Sequence, residues 1–126
     1  MKYEKVREQE RQFKAVTSLS VVEFDKLLLL FRPKLEKYLK QYTLNGKQRT
    51  RKYSPRTDFD MSAENLLFFI LVYHKNNTLQ EMHAAMFGLT QDMCNKLIHI
   101  LYPLLHKSLE EYRPAEVENI RKRGNI

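Results

Sequence analysis

Apolar residues recur along this chain at steps of three and four nearly throughout, which predicts helices rather than strands. A charged first segment carries only Tyr3, Val6, Phe13 and Val16 as apolar points and reads as one short helix over residues 1–17. Ser20 and Glu23 then form a capping-box pattern, with Leu19 placed to staple onto Phe24. Val21, Phe24, Leu27, Leu28, Phe31 and Leu35 follow on one helical face. Pro33 lacks a backbone donor, so the pattern predicts a kink or break between Leu29 and Arg32, with helix resuming to Tyr42. Ser62 is the next cap, with Met61 and Leu66 as its staple. The run Leu66 to Tyr73 is apolar on every side, which marks the buried centre of the fold, and the helix ends near Asn76 and Asn77.

Thr78 and Glu81 repeat the capping-box pattern, so a new helix is expected at once, from Leu79 to Phe87, where Gly88 breaks it. Thr90 is a further cap, and a long helix follows through Leu109, bent by Pro103. A short helix, a glycine turn and a longer helix have a definite logic when the two helices must cross steeply. Ala84 is small enough for close approach, and Gly88 supplies a positive φ. Leu89 plugs the gap under the turn, and Phe87, Cys94, Leu97 and Ile98 fill the wedge. This is helix-turn-helix spacing over residues 78–110, with a plain helical hairpin as the alternative.

In such a unit the start of the second helix faces the major groove. Thr90, Gln91, Asp92, Asn95, Lys96 and His99 fall on the side away from the wedge. Gln91 and Asn95 suit adenine, Lys96 guanine acceptors, and Asp92 a cytosine amino group; Asp92 serves equally as a mere stabiliser of the helix start. Thr78 and Gln80, at the preceding helix start, are placed to hold phosphate. Residues 43–60 form a basic loop opened by the turn signal Asn45-Gly46. Lys47, Arg49, Arg51, Lys52 and Arg56 lie there with no acidic residue between Thr43 and Thr57. The segment reads either as an arm along phosphates or as a solvated linker.

Composition narrows the partners. The chain has 126 residues, the length of one domain, with 22 Lys and Arg against 15 Asp and Glu, a net charge of +7. That balance favours polyanions. Three Gly and four Pro are too few for a sandwich or barrel. The single Cys excludes an internal disulfide, and the longest apolar run falls well short of the roughly 20 residues of a membrane span. The chain therefore reads as an all-α bundle with no membrane association, in the cytoplasm beside the nucleoid. His74, His83, His99 and His106 show no metal-binding spacing, although His99 and His106 share a face, and no cofactor motif is present. Cys94 reads as a core residue and Met82, Met86 and Met93 as core filler; Asp58 and Asp60 serve turn and cap roles. No catalytic residue emerges.

The segments YEKV from Tyr3, RQFK from Arg11, SLS from Ser18 and FDKLL from Phe24 resemble the N-terminal part of insertion-sequence transposases with a DDE-type nuclease domain. So do LVYHKNNT from Leu71, FGLTQ from Phe87 and IHILYPLL from Ile98, and the likeness covers Tyr3 to Tyr112. The resemblance implies a helix-turn-helix domain that binds the terminal inverted repeats of a mobile element as duplex DNA. A separately encoded catalytic subunit and a second copy of the chain, as a homodimer, are the further partners it implies. His83 and Cys94 depart from it, standing where the family has apolar and aliphatic residues. The family's catalytic carboxylates belong to a ribonuclease-H-like domain after this one, so none maps onto the chain, which is expected not to be an enzyme itself. A complete first reading frame, a truncated relic and an excised domain remain equally open. A free-standing transcriptional regulator and a helical protein-interaction module are the rival functions.

Overall fold

The computed structural model describes the backbone of residues 1–44, 46–48, 50 and 62–124, and side chains among these as far as Tyr112. The described residues are all-α, in six helices: α1 Tyr3–Arg7, α2 Glu10–Thr17, α3 Val21–Gln41, α4 Ala63–Asn76, α5 Gln80–Met86 and α6 Gln91–Gly124. Helix α4 is the centre. Every residue from Leu66 to Val72 is buried, as an apolar run without a polar face requires. Helices α2, α3 and α6 pack around it, and α5 packs on α6.

The N-terminal segment is two helices rather than the single one expected, and tertiary packing explains the break. In one straight helix Tyr3 and Phe13 would stand about 15 Å apart along the axis. Their rings are instead 6.3 Å apart, because α1 folds back so that Tyr3 also stacks on Phe24 at 5.2 Å. Phe13 meets Phe24 at 5.3 Å and Phe68 at 5.8 Å, so four helices each contribute one ring to a single cluster. Each such pair adds about 0.5–1.5 kcal/mol beyond the area it buries. Arg7 fastens α1 to α3 by a two-pronged pair with Asp25, at 2.7 and 2.9 Å, while also donating to the Tyr3 hydroxyl. The guanidinium beside Asp25 holds its carboxyl below the usual carboxylate range.

The cap at Ser20 forms as the sequence suggests, with both reciprocal hydrogen bonds of the capping box present. Ser62 likewise caps α4, and Asn77 closes it in the left-handed conformation, φ 48°. Met61, expected to staple this start, lies outside the described residues. Pro33 does not break α3, which runs unbroken through it. The proline and Leu29, whose carbonyl loses its helical partner, both lie on the exposed face, where water replaces the missing donor. Helix α6 passes Pro103 on the same terms and continues well beyond Leu109, the end expected from its apolar pattern.

Candidate nucleic-acid interface

The turn between α5 and α6 is built as its residues dictate. Gly88 sits at φ +67°, and a Cβ there would meet nothing within 4 Å, so conformation rather than space calls for glycine. Leu89 N–H donates to the Ala84 carbonyl at 2.8 Å and Gly88 N–H to Ala85 at 3.3 Å, the paired bonds that end a helix with an apolar residue tucked beneath. Ala84, Cys94, Leu97, Ile98 and Leu101 are buried, and Phe87 and Leu89 pack partly buried against the core. The Cys94 thiol reaches the Gln80 carbonyl at 3.7 Å, and burial pushes the thiol up from its ordinary value, as suits an inert core residue.

Thr90 caps α6 by accepting from Met93 N–H at 3.2 Å. Thr90, Gln91, Asp92 and His99 are exposed around the outer side of the helix start. Lys96 is half-buried and pairs with Asp92 one turn earlier, Nζ to Oδ2 3.1 Å. Asn95 departs from expectation. It is half-buried, and its amide oxygen is sequestered without a hydrogen-bond partner. A two-pronged adenine contact needs that oxygen to accept, so Asn95 does not offer it in this geometry, whereas Gln91 stands clear.

The second capping box does not form. Helix α5 starts at Gln80, with Leu79 in the cap position and no side-chain cap bond, so Glu81 is one residue too early to reach back. The Thr78 hydroxyl is buried without a partner rather than turned outward, which removes Thr78 as an exposed phosphate ligand; Gln80 is half-buried. Met82, expected in the core, is 55% exposed and lies with Leu79 on the open side of α5. Met86 and Met93 are half-buried, as filler should be.

Of the basic loop, Lys47 is exposed on a tight turn after α3. There Gly46 takes φ +81° and Tyr42 pairs with Gln48 in a single antiparallel bridge. Arg49, Arg51, Lys52 and Arg56 lie outside the described residues, as do Asp58 and Asp60. Lys47 thus stands on a different element from the α5–α6 surface, and the structure does not join the two into one described site.

The histidines sort differently from their spacing. His83 is fully buried against Phe69, Tyr73 and Phe87, with Nε2 at 3.1 Å from the Phe69 carbonyl and Nδ1 unpartnered. Burial lowers it from 6.5 to about 4, against a smaller opposing effect of that carbonyl. His74 bonds the Tyr102 hydroxyl at 2.8 Å, and its ring lies 6.0 Å from that of His106, a proximity across α4 and α6 that spacing alone did not reveal. Among the described residues, no group of three or more His, Cys, Asp or Glu could hold a metal ion. No helix among them is long and apolar enough to cross a membrane. No family model matches the chain, nor does any curated protein or solved structure.

Proposed function

We propose that the chain is a helix-turn-helix DNA-binding module of the kind with which transposases hold the ends of their element. The observation that carries this reading is the division of α6 at its start. One side, Cys94, Leu97, Ile98 and Leu101, is buried against α5 and the core, and the other presents Thr90, Gln91, Asp92, Lys96 and His99 around a capped, exposed N-terminal turn. A groove-reading helix needs that division. The positive balance of the chain draws in the duplex, with Lys47 and the arginines and lysine that follow it lying along phosphates. Gln91 and Lys96 then read base edges. On this reading the module grips DNA and leaves cutting to a separately encoded subunit.

Salt titration tests the electrostatic part. With about five phosphates neutralised, log affinity for duplex DNA falls against log salt with a slope of about −4 to −5. A slope near zero overturns the reading. For the groove part, Gln91→Ala and Lys96→Ala are each expected to weaken binding to a preferred duplex by ~1–3 kcal/mol and to relax the preference at one base pair. Asn95→Ala, with its oxygen already hidden, relaxes none. Equal losses from Gln91→Ala and Lys96→Ala on every duplex, measured by fluorescence anisotropy, would make these residues phosphate contacts instead.

A further inference from the structure

The ion pair on the proposed reading face combines a residue suited to DNA with one that opposes it. Lys96 Nζ and Asp92 Oδ2 are 3.1 Å apart, and the Asp92 side chain is 79% exposed. An exposed carboxylate in the first turn of a groove-facing helix repels every phosphate it approaches and holds the only lysine on that face. In the major groove, however, one G·C pair sets an acceptor, guanine O6, beside a donor, the cytosine amino group, about 2.9 Å apart because they bond each other. That spacing matches the separation of the two charged groups. An ammonium and a carboxylate so placed can exchange their mutual contact for O6 and the amino group of a single pair. An A·T pair also sets an acceptor, thymine O4, beside a donor, the adenine amino group, but that donor separates O4 from N7. In G·C the two acceptors N7 and O6 adjoin, so the ammonium can bond both while the carboxylate takes the amino group beside them.

We propose that Asp92 is a specificity-determining residue, which withholds Lys96 from phosphates and releases it to a G·C pair. The inference rests on the DNA-binding reading above and adds to it a base preference and a reason for the acidic residue. Binding anywhere else leaves the carboxylate facing phosphate or leaves the ammonium without two adjoining acceptors, so rejection of wrong sequences is built into the helix start.

The test uses the full chain and two probes. One is a 20-base-pair duplex enriched from a random pool on the wild-type protein; the other is a scrambled duplex of the same composition. Asp92→Asn is expected to raise affinity for the scrambled duplex ~3–10-fold at 0.1 M salt while leaving the enriched duplex no tighter, so that selectivity falls. Glu81→Gln, which removes an equal charge from the exposed side of α5 outside this ion pair, leaves the selectivity ratio unchanged. In a Lys96→Ala background, Asp92→Asn no longer changes that ratio. If Glu81→Gln lowers selectivity as much as Asp92→Asn, or if the effect persists without Lys96, Asp92 acts only through bulk charge and the inference falls while the DNA reading stands. An enriched duplex with no fixed G·C pair also overturns it. A wild-type protein that binds neither duplex removes the DNA reading and this inference together.

Discussion

Replacing Cys94 with Asp is expected to unfold the protein at neutral pH. Cys94 has no solvent exposure, its thiol touches only the Gln80 carbonyl among hydrogen-bonding groups, and its neighbours along α6 are the buried Leu97 and Ile98. A carboxylate there meets a carbonyl oxygen, which repels it, and among the described residues no ion pair reaches this position. Burying an unpaired charge costs about 4–5 kcal/mol or more, comparable to the whole stability of a domain of this size. Cys94→Ala removes one sulfur without adding polarity and is expected to cost only ~1–2 kcal/mol. Urea unfolding followed by circular dichroism separates the two. An unchanged Asp variant would mean that this face of α6 is turned to solvent, and the surface opposite could not then be the one presented to a groove.

Acid is expected to weaken the fold by about 3 kcal/mol before most carboxylates titrate, because of His83. At pH 7.5 the imidazole is neutral in both the folded and the unfolded chain, and its titration does not affect stability. As pH falls through 6.5 the unfolded chain takes up a proton. The folded chain refuses that proton until about pH 4, since the ring is enclosed by Phe69, Tyr73 and Phe87. Stability from this group is thus complete above 6.5 and is lost as pH falls towards 4. Asp25 and Glu64, held below their ordinary values, lose their contributions at lower pH. His83→Leu has nearly the same volume and no proton to gain, so the difference between its urea stability and that of the wild type is expected to shift by ~3 kcal/mol between pH 7.5 and 4.5. Parallel pH profiles for the two proteins would show that the ring is hydrated in solution.

How far the sequence reveals this structure depends on whether local chemistry or distant packing decides each feature. Ser20 and Thr78 begin the same motif, yet only Ser20 caps. Ser20 is free to face its helix start, whereas burial takes the Thr78 hydroxyl and moves the start of α5 one residue on. The break between α1 and α2 has no local signal at all, since residues 3–17 are mostly good helix formers and the break is imposed by where Tyr3 finds Phe24. Gly88, Ala84 and Cys94 were legible because a tight turn and a close crossing narrow the choice of residue. On the candidate surface, periodicity correctly placed Thr90, Gln91, Asp92 and His99 outward. It could not resolve Asn95, which lies at the border of the buried face, where half a side chain's width decides what is offered. Neither Pro33 nor Pro103 interrupts its helix, for a related reason: on an outward face, solvent makes good the bond that each one removes.

The ring cluster has a consequence for how the chain reaches its final form. Tyr3, Phe13, Phe24 and Phe68 come from four separate helices, so no two neighbouring segments can complete it alone. A partial assembly leaves large apolar rings in water and gains little, while the last arrival closes several contacts together. Such an arrangement favours all-or-none assembly, in which the first few residues of the chain are ordered only when the central helix, many residues later, is already in place.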